Sequence, residues 1–170
     1  LSTVLLAHDR ELMELVARSG CKGLLLGLET VTPASLHDAK KRFNGSVDFK
    51  QVIADLHSLG ISVQGCFVFG LDHDTPDSFD ATVEFALDAG VDLPRFAVLT
   101  PFPGTPLFTR LEREGRILTR EWELYDGQHV VFQPKNMTVQ ELAFGHERAW
   151  KKVYRWSAIA QRLWVARNFK

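Results

Sequence analysis

The feature that most constrains the fold is a repeat in which each predicted helix ends at a glycine and is followed by a short apolar segment. Its three occurrences read "SGCKGLLLG", "LGISVQGCFVFG" and "AGVDLPRFAVLTPFPG". Apolar segments that alternate with helices are typical of parallel strands, because an antiparallel hairpin needs no helical crossover. Both a (βα) barrel and an open doubly wound sheet accommodate this pattern.

The alternation covers residues 1–118, and a different kind of segment follows it. Strands are predicted at 1–8, 21–29, 61–70 and 93–104, with helices at 9–20, 32–41, 48–60, 75–90 and 105–115. Asp9 and Gly20 are placed to cap and to end the first helix. Four strands cannot close a barrel, so the predicted fold is α/β and part of a larger architecture. The rest is predicted to be loop-rich, with one helical turn, a short strand at 129–132 and one long helix from about Thr138 to the end.

Composition narrows the class of protein. The 170 residues are 45% hydrophobic with a net charge of −1, which suits a single domain or a substantial piece of a larger one and argues against nucleic acid as a partner. The two cysteines, Cys21 and Cys66, have no metal-ligand spacing and indicate a reducing, cytoplasmic setting. No signal peptide or membrane-spanning run is recognised. Because Leu1 is not Met, we expect the chain to come from something longer.

The final segment, 149–170, is basic and amphipathic. After Glu147 there are no acidic residues, and Val153, Trp156, Ala160 and Leu163 share one helical face. Such a helix either packs its apolar face on its own protein, which we favour, or lies on a membrane surface. The basic residues considered are Lys151, Lys152, Arg155, Arg162, Arg167 and Lys170.

Polar residues follow three of the predicted strands. In parallel α/β folds the functional side chains gather at the carboxyl ends of strands, where the connecting loops converge. The positions there are Glu29 and Thr30; then Gly70, Asp72, His73, Asp74 and Thr75; and then Thr100, Pro103, Gly104 and Thr105.

Each of these groups also has a purely structural interpretation. Glu29 suits a helix cap or an ion pair as well as a binding role. Asp72, His73 and Asp74 suit a divalent metal, although a solvated loop before a helix capped by Asp74 or Thr75 is favoured. The "PFPGTP" segment is a rigid turn that either holds a ligand or only shapes the chain. No Ser-His-Asp order, Walker-type phosphate loop or His/Cys metal spacing occurs, and no catalytic residue is identified.

Three segments in order carry a resemblance to a known family. They are "SGCKGLLLGLETVTPASL", "LHSLGISVQGCFVFGLDHDTPDSFDATVEFA" and "LTPFPGTPLFTRLEREGRIL", and the sequel "EWELYDGQHVVFQPKNMT" extends the match over nearly the whole chain. Together they resemble the C-terminal half of radical S-adenosylmethionine (SAM) enzymes. The resemblance is closer to those members that carry an N-terminal cobalamin-binding domain.

The resemblance implies the C-terminal part of a partial (βα)6 TIM-type barrel at 1–118 and a helical C-terminal extension at 119–170. It implies S-adenosylmethionine and a [4Fe–4S] cluster as cofactors, with cobalamin as a further candidate. Family members hold the cluster through CxxxCxxC, and this motif is absent here, so the cluster ligands and the cobalamin domain are expected outside the chain. The chain alone is expected to be inactive.

The same resemblance implies residues that bind the nucleoside and methionyl parts of SAM. Glu29 stands at the polar position that ends strand four in relatives. Lys41, or Arg42 beside it, stands where some relatives place an Arg for the methionyl carboxylate, although Lys lacks the bidentate fork. The strand-five motif G-x-I-x-G-x-x-E is matched at Val68 and Gly70. Cys66 and His73 replace its first Gly and its Glu, and some relatives have a ribose-binding Asp at the position of Cys66.

The end of the last strand completes this implied site. "TPFPGT", with Thr100, Pro103 and Gly104, matches the strand-six end beside adenine. Residues 67–70 would then form the adenine wall. The aromatic tail is expected to help cover the cavity, through Trp150, Tyr154, Trp156 and Trp164.

Three functional hypotheses follow. The favoured one is a segment of a cobalamin-dependent radical enzyme, such as a C-methyltransferase or a ring-modifying enzyme, with a small-molecule substrate and the missing barrel half and cobalamin domain as partners. The second is a non-catalytic α/β scaffold or membrane-surface module with contact through 149–170. The third is a complete aldolase-like α/β enzyme, which Glu29, Lys41 and the polar strand ends would support. A Schiff-base lysine inside a barrel strand would favour it, but Lys22 begins its strand and Lys41 lies in a loop or helix.

Overall fold

The core of the molecule is a parallel sheet of three strands in the order β1-β2-β3. A computed structural model describes residues 9–32 and 48–166. The strands are β1 (Gly23–Glu29), β2 (Ser62–Phe69) and β3 (Arg95–Val98). The predicted α/β class with parallel strands is confirmed, while closure into part of a barrel stays a prediction. The predicted strand at 1–8 and most of the predicted helix at 32–41 lie outside the described residues.

Helices connect the strands and begin at the polar residues that the sequence offers. They are α1 (Arg10–Arg18), α2 (Phe49–Ser58), α3 (Asp77–Asp88) and α4 (Pro106–Arg113). Asp9, Asp48 and Thr105 cap α1, α2 and α4, each accepting a hydrogen bond from a backbone N–H of the first turn. The predicted cap at Asp9 is therefore confirmed.

One face of the sheet packs against the helices. Side chains alternate along β2, and Val63, Phe67 and Phe69 are at most 2% exposed. The Phe69 ring lies 4.7 Å from Phe79 of α3 and 5.3 Å from Phe96 of β3, centroid to centroid. This helix-side face is an aromatic core, and it carries most of the burial in the sheet.

The other face of the sheet is only half-buried. It carries Gln64, Cys66 and Val68 from β2, the same strand whose remaining side chains are buried. The register sets these residues beside their neighbours in the pairs Leu25–Gln64, Gly27–Cys66, Cys66–Arg95 and Val68–Ala97. We call this set of residues the open face.

The segment after α4 returns to the sheet rather than adding a strand to it. A short 3-10 helix spans Trp122–Leu124, and the predicted strand at 129–132 is reduced to a single antiparallel bridge between Ile117 and Phe132. The N–H of Val98 donates to the carbonyl of Gly127 at 2.7 Å. The tail loop therefore occupies part of the free edge of β3.

The predicted long C-terminal helix is wrong in one respect, because two helices occupy that stretch. They are α5 (Val139–Val153) and α6 (Trp156–Ala166). Tyr154 is the C-cap residue of α5, and its hydroxyl donates to the carbonyl of Pro94 at 2.9 Å. Arg162 donates to the carbonyl of Val153 at 2.7 Å. Arg162 thus satisfies a carbonyl that the end of the helix leaves without an intrahelical partner.

Helix α5 packs on α3 through a close contact at Gly145. A Cβ placed at Gly145 would overlap the ring of Phe79, so the two helices approach each other at a point where only glycine fits. The helix begins at Thr138 with a reciprocal capping box to Glu141. None of the described helices is long and apolar enough to cross a bilayer.

Candidate functional site

The carboxyl end of β1 is irregular at Glu29. Its φ is +68°, and it is the one non-glycine residue with positive φ in the described part of the chain. The pairing with β2 shifts between Gly27 and Glu29, and the N–H of Thr30 turns back to the carbonyl of Leu28 at 2.9 Å. A left-handed glutamate costs about 1 kcal/mol or more, and such strain concentrates at functional sites.

Cys66 lies in the middle of the open face, between Gly27 of β1 and Arg95 of β3. Burial raises the pKa of its thiol, the positive charge of Arg95 lowers it and the carboxylate of Glu29 raises it. Glu29 is therefore close enough to Cys66 for their charges to interact. Because Gly27 has no side chain, the surface beside the thiol is flat.

Val68 continues the open face towards the carboxyl end. It is paired with Ala97, so two small apolar side chains lie side by side. A Cβ placed at Gly127 would lie 3.7 Å from the Cβ of Ala97, which shows that the tail loop borders this area. The surface that Val68 and Ala97 form is apolar, shallow and bounded by backbone.

The adenine wall expected from residues 67–70 needs correction. Phe67 and Phe69 are 1% and 2% exposed in the helix-side core, so they do not face the same side as Val68. Strand alternation permits only every second residue on one face. The apolar surface on the open face comes instead from the neighbouring strands, through Gly27 and Ala97.

Gly70 is packed against other parts of the chain. Its φ is +95°, and a Cβ there would lie 2.9 Å from Leu142 and 3.1 Å from Phe132. Its N–H and that of Leu71 each donate to Asp74 Oδ2 at 3.0 Å. Asp74 is therefore a buried acceptor for the turn after β2. The alternative in which Asp74 or Thr75 caps α3 is wrong, because Pro76 occupies the cap position and no side chain caps the helix.

Asp72 is the centre of an ionic cluster that joins the end of β2 to the tail. Its carboxylate accepts hydrogen bonds from Arg110 and from Arg116 (2.9 Å) and pairs with Lys135 (3.2 Å). Asn136 donates its side-chain amide to the backbone carbonyl of Asp72 at 2.8 Å. Burial raises the pKa of Asp72, but the hydrogen bonds from these three cations outweigh it and lower the pKa to about 2.

These contacts favour the structural reading of the Asp72–Asp74 segment over metal binding. Asp72 faces cations and Asp74 accepts backbone hydrogen bonds, while His73 is exposed. Within residues 9–32 and 48–166, no group of three or more His, Cys, Asp or Glu side chains is arranged to hold a metal ion.

The loop after β3 forms a turn with an exposed tip. Thr100 is half-buried and donates its hydroxyl to the carbonyl of Val98 at 3.0 Å. Pro103 and Gly104 are exposed, and the φ of Gly104 is +81°. Thr105 then caps α4, so this segment acts as a turn and leaves its backbone at the tip accessible.

The structure thus brings some of the predicted site residues together and separates others. Glu29, Cys66 and Val68 share the open face or its rim, whereas Gly70 faces the tail core. Lys41 and Arg42 lie outside the described residues. Sequence reasoning missed three neighbours on the open face, which strand alternation combined with parallel register would have indicated: Gly27, Arg95 and Ala97.

A cavity of about 270 Å³ lies beside the amino end of β3. It is lined by Gln64, Leu93, Arg95, Trp150 and Tyr154. Trp150 and Tyr154, expected to cover a substrate cavity, stack on each other at 5.5 Å beside this end. They lie away from the rim at Glu29, and it is the Gly127 loop that borders the open face near Val68.

Comparison with known proteins gives several matches. Residues 105–168 match a family model described as "Domain of unknown function (DUF4070)". The chain is 37% identical over 153 residues to bacteriochlorophyllide d C-12(1)-methyltransferase of Chlorobaculum tepidum, covering 90% of this chain and 33% of that protein.

Two further relatives have different names. A hopanoid C-2 methylase of Rhodopseudomonas palustris is 31% identical over 117 residues, or 69% of this chain and 22% of the relative. An anaerobic magnesium-protoporphyrin IX monomethyl ester cyclase of Cereibacter sphaeroides is 26% identical over 163 residues. The match covers 96% of this chain and 26% of that protein. The chain spans about a third of the length of the bacteriochlorophyllide d methyltransferase.

These matches agree with the three ordered segments of the sequence and with the parallel α/β sheet. The chain belongs to the radical S-adenosylmethionine superfamily, in the group whose members carry a cobalamin-binding domain. Its matched relatives are methyltransferases and a cyclase by name.

Proposed function

We propose that this chain forms the adenosyl and methionyl side of the cofactor site in a radical SAM enzyme that methylates or cyclises a small molecule. The observation that supports it most is Glu29, held at a φ of +68° beside the open face. Strain of this kind persists where the surrounding structure fixes a side chain in a required position. A binding role gives a reason for it that a surface ion pair does not.

The open face fits a planar, uncharged ring. Gly27, Val68 and Ala97 offer a surface with few protruding atoms, next to the half-buried thiol of Cys66. A purine stacked there would gain apolar contact on one side. The chain would leave the other side of the ring to segments outside the described residues.

Charges near the rim suit the rest of the cofactor. The carboxylate of Glu29 is an acceptor for a ribose hydroxyl or the methionyl ammonium group. Lys41 or Arg42 remains the proposed partner of the methionyl carboxylate. When bound beside a [4Fe–4S] cluster, SAM supplies a 5′-deoxyadenosyl radical. The contribution of these residues is to bind and orient the cofactor and to exclude water from the apolar wall.

The ionic cluster around Asp72 has a supporting role in this proposal. It ties the loop after β2 to α4 and to the tail at Lys135 and Asn136, on the carboxyl side of the sheet. A radical intermediate needs a rigid, dry site. Asp72 therefore acts as a positioning residue that holds the rim, and it does not touch the cofactor.

The names of the relatives suggest the substrate class. They refer to a bacteriochlorophyllide, a magnesium-protoporphyrin and a hopanoid, which are small molecules. We propose a substrate of that size, with methyl transfer as the favoured reaction and ring closure as the alternative. Cobalamin, bound by a domain outside this chain, is the proposed methyl carrier for the first of these reactions.

Binding of SAM to the whole natural protein with its cluster reconstituted tests the proposal. Glu29→Gln is expected to weaken SAM binding by about tenfold or more, because it removes a charged acceptor. The matched control is Glu84→Gln, whose carboxylate lies on α3 and is 72% exposed. Isothermal titration with both variants measures the effect.

Three outcomes separate the hypotheses. Weaker binding by Glu29→Gln alone, with an unchanged melting temperature, supports the cofactor site. Equal SAM affinity for the wild type and both variants contradicts the role of Glu29. A whole protein that binds neither a cluster nor SAM supports the scaffold hypothesis instead.

A further inference from the structure

Helix α6 presents an apolar surface to solvent. Its large side chains Trp156, Leu163 and Trp164 are 86%, 65% and 71% exposed. Isolated exposed apolar residues are common in proteins, but a contiguous group of large ones marks an interaction surface. The sequence analysis favoured packing of this helix on its own protein. That holds for α5, while the outer side of α6 is exposed in the part of the chain that the structure describes.

Helical geometry gathers these residues on one side. At 100° per residue, Trp156, Ala160 and Leu163 lie within about 60° of one another, with Ile159 and Trp164 at the margins. The opposite side holds the helix on the protein through Ala158, which is 2% exposed, and Arg162, which lies over the Tyr154 ring at 5.0 Å. The exposed side of α6 is therefore an apolar stripe with a tryptophan at each end. We call it the α6 stripe.

A cation precedes the α6 stripe, and the acidic group near α6, Asp92, lies beside Arg162 on the opposite side of the helix. No Asp or Glu occurs after Glu147, and Arg155, directly before the stripe, is exposed and makes no ion pair within the described residues. The basic residues of α5 differ, because they are paired within the protein: Arg148 with Asp80, Lys151 with Glu147 and Lys152 with Asp80 and Glu84. Arg155 therefore places one exposed positive charge at the amino end of the stripe.

We propose that the α6 stripe binds the surface of an anionic phospholipid bilayer, with the helix axis in the plane of the interface. Tryptophan is the side chain most suited to this depth, because its ring is apolar and its N–H reaches water. The positive charge at Arg155 complements anionic headgroups. A helix of 11 residues spans about 16 Å, which is too short to cross the hydrocarbon but long enough to lie along it.

The stripe is distinct from the open face and from the rim at Glu29, so this inference does not depend on the proposed reaction. Helix α6 follows Tyr154, which is tied to Pro94 at the amino end of β3, whereas Glu29 ends β1 at its carboxyl end. In a parallel sheet, the amino ends and the carboxyl ends of the strands lie at opposite ends of the sheet. Membrane contact through α6 would leave the carboxyl ends of the strands accessible.

Co-sedimentation of the whole natural protein with vesicles tests the proposal. We expect binding to vesicles that contain phosphatidylglycerol, weaker binding to pure phosphatidylcholine, and a loss of affinity as salt increases. The double variant Trp156→Ser/Trp164→Ser is expected to reduce affinity for the anionic vesicles by about tenfold or more, because it removes two large apolar contacts.

The matched control is Phe144→Ser. Phe144 is 69% exposed on α5, yet lies among the mixed charges of Glu147, Arg148 and Lys151. The Phe144→Ser substitution should leave vesicle binding unchanged. Melting temperatures of all variants should match that of the wild type, since each side chain is exposed.

A second measurement reports on depth. Vesicles with brominated acyl chains should quench tryptophan fluorescence of the wild-type protein, and Trp156→Phe/Trp164→Phe should abolish the quenching. Absence of binding to anionic vesicles, equal binding by the serine variant, or burial of both tryptophans by another part of the whole protein would each overturn the proposal.

Discussion

The two faces of one sheet differ in what they contribute. On the helix side, Phe67, Phe69 and Phe96 are at most 2% exposed and contact other rings at 4.7–5.7 Å. On the open face, Cys66 and Val68 of the same strand are half-buried, and small residues lie beside them at Gly27 and Ala97. Strand β2 therefore has a tightly packed face on one side and, on the other, the half-buried face for which we propose cofactor binding. Substitutions at adjacent residues should separate the two roles.

The largest expected effect is at Phe69. Phe69→Ala removes a ring from the helix-side core and should lower the free energy of unfolding by about 3–5 kcal/mol. Val68→Ala, one residue away on the open face, should cost about 1 kcal/mol or less and instead weaken SAM binding. Urea unfolding of both variants measures the difference. Similar losses of stability would show that the open face is packed as tightly as the other one.

The next effect concerns the ionic cluster of Asp72, and it depends on pH. The folded pKa of Asp72 is about 2, below the ordinary value of 3.8, so the unfolded chain takes up the proton first as pH falls. The stabilisation is present above about pH 4 and is lost as pH falls towards 2. After allowance for solvent screening, Asp72→Asn should cost about 1–2 kcal/mol at neutral pH.

The control for this cluster is Asp88→Asn, whose partner Lys50 is 55% exposed. An exposed pair contributes little, so that variant should be nearly neutral. Unfolding of Asp72→Asn should also depend less on pH between 4 and 2 than unfolding of the wild type. An unchanged pH dependence would mean that Asp72 does not stabilise the fold through its charge.

A smaller effect tests how accessible the open face is. Burial raises the pKa of the Cys66 thiol, so less thiolate is present at neutral pH than in an exposed cysteine. In the whole natural protein, alkylation of the peptide that contains Cys66 by a maleimide should be at least about threefold slower than that of a free thiol. Mass spectrometry over time gives the rate. Saturating SAM should slow the reaction further, and a rate that SAM does not change would count against cofactor binding at this face.

The smallest expected effect is an increase, rather than a decrease, in the free energy of unfolding. Glu29→Gly relieves the left-handed conformation but adds freedom to the unfolded chain, so we expect a net gain in unfolding free energy of about 0.5 kcal/mol. SAM binding should fall in the same variant. A gain in stability with a loss of binding would identify strain that serves the site. A loss of more than about 1 kcal/mol would instead indicate that contacts of the carboxylate stabilise the fold.

Local patterns predicted much of the fold. Apolar runs and glycine stops were enough for β1, β2 and β3, and capping residues such as Asp9 and Thr138 located helix starts. The break between α5 and α6 was missed because neither glycine nor proline occurs there. It depends on Pro94 and Arg162, whose contacts with Tyr154 and Val153 exist only in the folded chain.

The site was less predictable for a related reason. Position at a strand end pointed to both Glu29 and Asp72, yet one lies at the open face and the other in an ionic cluster. The cations that decide this for Asp72 are 38, 44 and 63 positions away, so no local pattern contains them. The positive φ of Glu29 likewise depends on its pairing with β2, and no pattern in the amino-acid sequence indicates it.

The contact of Gly145 with Phe79 has a consequence for how this protein can vary. Because the Phe79 ring occupies the place of a side chain at position 145, even alanine requires the Phe79 ring or α5 to shift. Random mutagenesis should therefore recover almost no substitutions there unless position 79 becomes smaller at the same time. In related sequences, this pair is expected to change together or not at all.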